Sequence, residues 1–287
     1  MPSRGLVCPT VTFSVRTQIF GILNITTDSF SDGGRFLAPE AAIEHAGRLI
    51  ADGADVLDIG GASSNPDAAP VPSEIEIARL APVVARAHAE NWPVSIDSFS
   101  PATQIWALEQ GVAYLNDISG FPDPVIYPQL AGGSARLIVM HSVQRGQATR
   151  AETDPETIAE RIIAFFDARI EALTRAGIAR ERLIIDPGMG FFLGADPKVS
   201  LAVLRALPAL RAALGLPLLV SVSRKSFLRK LVEREAKDAG PASLAAELYA
   251  ATNGADMIRT HNPAAFRDAL IIWSHIVQNS KETPFQT

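Results

Sequence analysis

Cysteine is almost absent from this 287-residue chain: Cys8 stands alone. One thiol cannot form an internal disulfide, and its rarity fits a reducing compartment. A basic excess is absent too. The chain has 26 Lys and Arg against 31 Asp and Glu, a net charge of -5 and a pI near 5.6. That balance argues against a nucleic-acid binder, which would present a basic face. No run of 18 apolar residues occurs, so no segment is expected to span a membrane. Residues 1–16 hold only broken apolar pieces, with Leu6-Val7-Cys8 a faint echo of a lipoprotein cleavage site. They are expected to form an N-terminal extension ahead of one domain over 17–287, located in the cytoplasm. Familiar motifs are missing as well. No G-x-G-x-x-G follows the first strand, which counts against a dinucleotide fold. There is no H-x-x-H or C-x-x-C metal cluster. No G-x-S-x-G elbow marks a hydrolase, although Ser, His and Asp are all available for a triad. No Pro/Ser-rich linker divides the chain.

What is present is a repeated unit. Leu183-Ile184-Ile185-Asp186-Pro187-Gly188 is a short apolar run that ends in an acid and a Pro-Gly stop. Such a run reads as a fully buried strand. A buried carboxylate at its end needs a partner, and an Asp bonding its own turn would be the plain explanation at one such site. The pattern recurs, however. Strands are expected over 18–25, 55–60, 94–97, 114–118, 136–140, 183–186, 218–222 and 257–261.

Helices alternate with the strands. Pro39 opens one with Ala42, Ile43, Ala46, Leu49 and Ile50 on a single face, closed by Gly53. Ser73 and Glu76 have capping-box spacing. Ser100-Pro101, Asp154-Pro155 and Asp196-Pro197 each pair an N-cap with an N1 proline. Apolar faces are expected at Ile105 and Leu108, at Ile158, Ile162, Phe165, Ile170 and Leu173, and at Val203, Leu204 and Leu207. Further helices follow over 241–252 and 263–278, the last with Phe266, Leu270, Ile271 and Trp273. Strict βα alternation implies a parallel sheet with covered faces. Eight units in this length imply an α/β fold of the (β/α)8 type, a single-domain TIM barrel.

The site of such a barrel lies at the C-terminal ends of its strands. Here those ends carry Asn24, Asp58, Asp97, Asn116, His141, Asp186, Lys225, Arg259 and His261. Each alone has a dull explanation: a strand terminator, a solvated lysine, a turn histidine. Together they are more than turn chemistry. Asp97, Asn116 and Asp186 offer acceptors and an amide, which suit a flat nitrogen-rich ring with several N–H groups. Arg259 and His261 supply donors for an anion. Asn24 offers an oxygen to Mg2+, the usual companion of phosphates.

Taken together, the motifs resemble dihydropteroate synthase, the folate-pathway family. They are Gly21-Ile22-Leu23-Asn24-Ile25-Thr26-Thr27-Asp28-Ser29-Phe30-Ser31-Asp32-Gly33-Gly34, Asp58-Ile59-Gly60-Gly61, Ile96-Asp97-Ser98, Asn116-Asp117, Met140-His141, Asp186-Pro187-Gly188, Ser223-Arg224-Lys225-Ser226 and Arg259-Thr260-His261. They run in family order over residues 18–262. The resemblance implies a reaction in which a 7,8-dihydropterin carrying a CH2–diphosphate is joined to p-aminobenzoate, releasing diphosphate. It implies that Asp97, Asn116, Asp186 and Lys225, with Met140 and Asp58, hold the pterin. Asn24, Ser64, Arg259 and His261 would bind diphosphate, with Asn24 the Mg2+ ligand. Ser64, Pro66, Phe191, Phe192, Lys225 and Ser226 would line the p-aminobenzoate site, and the first two loops would cover it. The family is usually homodimeric.

Two stretches depart from the family pattern. The second loop, usually S-T-R-P-G, reads Ser63-Ser64-Asn65-Pro66-Asp67, which puts one diphosphate contact in doubt. After Asp186-Pro187-Gly188, the usual x-G-F-G-K is replaced by Met189-Gly190-Phe191-Phe192-Leu193-Gly194, with an extra aromatic and no lysine. Both departures resemble the sulfonamide-insensitive branch. Two other readings compete: a pterin-binding methyltransferase barrel, and a non-catalytic pterin-binding paralogue.

Overall fold

The computed structural model describes residues 17–25, 39–63, 69–143 and 153–279. Eight strands follow the expected order: β1 Gln18–Asn24, β2 Val56–Gly60, β3 Val94–Asp97, β4 Tyr114–Asp117, β5 Arg136–Met140, β6 Leu183–Asp186, β7 Leu219–Ser221 and β8 Met257–Thr260. All pair in parallel, in the order β6-β5-β4-β3-β2-β1-β8-β7. A single bridge, Ile185 to Leu218, joins β6 to β7 and closes the barrel. Around it run α1 Pro39–Ala51, α2 Ser73–Ala89, α3 Pro101–Glu109, α4 Tyr127–Gly132, α5 Ile158–Arg175, α6 Pro197–Leu214, α7 Ser226–Val232, α8 Gly240–Thr252 and α9 Pro263–Asn279.

The two-residue period of a strand sorts side chains into two cores. Outward residues such as Ile19, Leu23, Leu57, Ile59, Ile96 and Leu137 pack under the helices. Inward ones, Phe20, Val56, Tyr114, Ile138, Ile184, Leu219 and Met257, form a separate apolar cluster. That cluster is the floor of the barrel.

Several helix details differ from expectation. Ser73 does not cap α2: Pro72 is the N-cap and makes no side-chain cap bond. Glu76 is instead buried and accepts from the hydroxyls of Ser98 (3.1 Å) and Thr103 (2.6 Å). α3 therefore buries Thr103, Gln104 and Ala107, leaving Ile105 and Leu108 half-buried. Asp154 accepts from the Glu156 N–H in a turn (2.9 Å), and α5 starts only at Ile158. Phe166, not Phe165, fills the inner face of α5. Ser100 and Asp196 do act as N-caps, accepting from Thr103 and Lys198 N–H groups. On α9, Phe266 is buried but Ile271 is half exposed.

Candidate active site

One step of two residues above the floor, the same strands turn polar. Val56 leads to Asp58, Tyr114 to Asn116, Ile138 to Met140, Ile184 to Asp186 and Met257 to Arg259. Asp97 joins them from β3, in register with Asn116, as Met140 is with Asp186. The alternation that builds the floor thus places a charged layer above it.

Arg259 organises this layer. Its Nε donates to Asp58 Oδ2 at 2.5 Å, and one terminal nitrogen donates to Asp97 Oδ2. Burial disfavours the guanidinium charge, but Asp58 and Asp97 outweigh it and raise the Arg259 pKa. Asp58 is fully buried, and desolvation pushes it up to about 6 against the pull of Arg259. Asp186 is also buried. Desolvation raises its pKa, countered by Lys225 and by the Gly188 N–H, which donates to Oδ1 at 2.8 Å. Burial brings Lys225 down to about 8, opposed by Asp186.

The layer leaves polar atoms without partners among the described residues. Both amide atoms of Asn116, Asp58 Oδ1, Asp186 Oδ2 and His261 Nδ1 are buried and unpaired. Buried polar groups are nearly always hydrogen-bonded, so the grouping of several exceptions in this layer points to a ligand-binding site. Asn116 on β4 and Asp186 on β6, the strands on either side of β5, together offer one donor and two acceptor atoms. A family model described as a pterin-binding enzyme matches residues 20–261.

The chain belongs to the pterin-binding enzyme family. Within it, an Escherichia coli dihydropteroate synthase type-2 is 61% identical over 263 residues, 92% of this chain and 97% of that one. Among solved structures, Xanthomonas albilineans dihydropteroate synthase with 4-aminobenzoic acid matches with a TM-score of 0.84 at 36% identity, over 94% of this chain and 95% of the other. The same enzyme in complex with 7,8-dihydropteroate gives 0.80 at 35%, with the same coverage. The resemblance read from the motifs therefore holds, on the dihydropteroate synthase branch of the family.

The remaining expected residues fall into three groups in this pterin-binding barrel. Asn24 is exposed at the end of β1, its amide oxygen beside Gly60. His261 follows β8, and burial, with Arg224 and Arg259 nearby, takes its pKa down to about 3. His141 is buried, its Nδ1 3.1 Å from the Pro187 carbonyl oxygen, and desolvation lowers it to about 4. Next comes the loop after β6. Phe192 lies over the Lys225 ammonium, 5.0 Å from ring centroid to Nζ, while Nζ donates to the Met189 carbonyl at 3.3 Å. Phe191 and Ser226 border an open groove of about 510 Å3, together with Arg229 and Lys230. Ser64, Asn65 and Pro66 lie outside the described residues.

Sequence reading missed three features. Two terminal-strand acids share Arg259, so that residue is not an anion site alone. Asp117 closes its own turn, accepting from Ser119 and Phe121 N–H groups and from Gln104. Glu247, on α8, is a buried acid behind the site. Its only signal in the sequence was its place four residues after Ser243 on an otherwise Ala-rich helix.

Proposed function

We infer that this chain condenses 6-hydroxymethyl-7,8-dihydropterin diphosphate with p-aminobenzoate to give 7,8-dihydropteroate and diphosphate. The observation that carries this reading is the paired set of orphaned buried atoms on Asn116 and Asp186, which matches the N–H-rich edge of a pterin. Asp97, Lys225 and Met140 complete the pterin pocket. Asp58 holds Arg259 in place beneath it. Arg259 and the unprotonated His261 face the diphosphate end, with Ser64 beside them.

The acids then have a chemical role. As the C–O bond to diphosphate breaks, positive charge grows on the pterin methylene, and fixed negative groups nearby stabilise it. The aniline nitrogen of p-aminobenzoate attacks that carbon, forming the C–N bond and later losing a proton to solvent. No protein nucleophile is required. Mg2+ fits the mouth of the barrel, where Asn24 offers one hard oxygen donor and diphosphate and water would supply the rest. When bound, it neutralises charge on the leaving group. Phe191, Phe192, Ser226 and Pro66 line the p-aminobenzoate side, with Lys225 shared between the two substrates. The location is the cytoplasm, in keeping with the single cysteine, and the assembly is a homodimer. Exposed apolar side chains support the latter: Leu231 and Val232 on α7, Tyr249 on α8, Ile271 and Ile272 on α9.

The same reading extends to sulfonamide rejection. A sulfonamide copies the aniline ring but replaces a flat carboxylate with a tetrahedral sulfonyl, so discrimination must come at the acid end. Phe192, fixed over Lys225, is a steric stop at that position. Three decades of rejection need about 4 kcal/mol, within reach of one clash and one unpaired polar group. Phe192→Gly is expected to lower the sulfonamide Ki toward the KM for p-aminobenzoate. Leu193 should be left in place, because it is fully buried in the core. An active Phe192→Gly enzyme with unchanged Ki would shift the role to the loop around Asn65.

The direct test of the reaction is mass-spectrometric detection of dihydropteroate from the two substrates with Mg2+. Ligand binding without product would instead favour a non-catalytic pterin binder.

A further inference from the structure

The ladder between β3 and β4 stops at the site. Asp97 lies in register with Asn116, and the Ser98 N–H donates to the Asn116 carbonyl at 3.0 Å. Beyond that bond the two chains part. One runs to Ser100, the cap of α3, and the other into a bend at Gly120 and Phe121, with φ of +73° and +56°. A buried phenylalanine in the left-handed region persists only where its surroundings enforce it. The Asp117 carboxylate supplies that constraint, accepting from the N–H groups of Ser119 at 2.7 Å and Phe121 at 3.1 Å.

One side chain spans the parting chains. Gln104, in the first turn of α3, is buried, and its amide nitrogen donates to the Ser98 carbonyl at 2.7 Å and to Asp117 Oδ2 at 2.9 Å. It thereby joins the residue after Asp97 to the residue after Asn116. Its neighbour Thr103 donates to Glu76 Oε2 of α2 at 2.6 Å, and the Ser98 hydroxyl donates to the same oxygen at 3.1 Å. Ser98 is therefore held at its N–H, its carbonyl and its hydroxyl.

Asn116 depends on this hold. Both its amide atoms are buried without a partner among the described residues, so its aim comes from its backbone. That backbone is fixed by Ser98 across the ladder and by Asp117 next in the chain. Asp97 is held differently, through the ion pair of its carboxylate with Arg259. A buried amide gains little net stability from its hydrogen bonds. Packing of α3 would be served as well by an apolar side chain of the same length, so a role in geometry accounts for Gln104 better than a role in folding.

We propose that Gln104 is a positioning residue for the pterin, which sets Asp97 and Asn116 relative to each other by tying Ser98 to Asp117. It touches neither substrate. The proposal rests on the pterin-holding role given to Asp97 and Asn116, and the test separates the two.

Gln104→Met has nearly the same length but donates no hydrogen bond. Its KM for the dihydropterin diphosphate should rise, and kcat/KM for that substrate should fall by on the order of 10²-fold, the scale for a small misplacement of binding groups. Its KM for p-aminobenzoate should stay close to the wild-type value. Ala107→Gly, buried on the same helix and making none of these side-chain bonds, should lower Tm yet leave both KM values unchanged. That is the pattern a merely structural role for Gln104 would give. A folded Gln104→Met enzyme with wild-type kcat/KM for the pterin substrate overturns the proposal, as does an equal rise in both KM values. Should Gln104→Met not fold, Gln104→Asn carries the test, since it keeps the amide but is one methylene too short to meet both acceptors: a wild-type pterin KM in that variant refutes the tie. Asn116→Ala runs alongside. If it keeps a wild-type pterin KM, the site reading itself has failed; if it loses pterin affinity while Gln104→Met does not, only the tie has.

Discussion

Arg259 is held between two acids, and that decides which protonation states the site can use. Asp58 titrates near 6 and Lys225 near 8. The rate should therefore follow a bell, with kcat/KM falling below about pH 6 as Asp58 releases Arg259 and above about pH 8 as Lys225 loses its charge. His261 and His141, held near 3 and 4 by burial, contribute no limb between these values. Stability should not track the bell. Between pH 8 and 10.5 folded Lys225 is neutral while the unfolded chain keeps its proton, so this group's contribution rises with pH. Between 3.8 and 6 folded Asp58 keeps a proton that the unfolded chain has released, so its contribution falls as pH rises. Lys225→Arg should move the alkaline limb of kcat/KM upward. An unmoved limb would assign that titration to another group.

At the level of elements, the strand ends were legible and the helix interiors less so. A buried strand announces itself as an apolar run, and the acids that end β2, β3 and β6 stand out against it. The Pro-Gly after Asp186 is equally plain. Gly188 has a φ of +73°, and a Cβ there would lie 2.3 Å from the His141 carbonyl oxygen. Gly188→Ala should thus cost more than about 2 kcal/mol from strain and clash together. That corresponds to a Tm lower by roughly 4 °C or more, and kcat/KM should drop with it because the N–H that holds Asp186 moves. A variant with unchanged Tm would mean that the β5 and β6 ends are not locked as described. Helix-borne acids gave no comparable signal. Glu76 sits at capping spacing, yet the hydroxyls of Ser98 and Thr103 claim it. Glu247 lies inside a helix with five alanines among its 13 residues. What identifies Glu76 is its pair of tertiary partners, Ser98 and Thr103, which no local pattern encodes. The same holds for Arg259, whose partners Asp58 and Asp97 lie 201 and 162 residues away along the chain.

At the scale of the whole molecule, α8 packs against both α7 and α9, and all three helices carry exposed apolar residues of the kind that mark association surfaces. Ile272 is 61% exposed. If the proposed homodimer forms through these helices, Ile272→Asp should leave the barrel folded and shift the sedimentation coefficient from dimer to monomer; a wild-type chain that sediments as a monomer would contradict the proposal. The barrel also divides labour by height. Its floor of seven apolar side chains serves stability, while the layer two residues higher carries charge that folding alone does not need. Asp186 tests this division most directly. Asp186→Asn keeps size and shape, removes a buried charge and should leave Tm unchanged or higher, while kcat/KM falls by on the order of 10²–10³. A folded variant with kcat/KM within a few-fold of wild type would contradict the claim that the buried acids stabilise a cationic pterin.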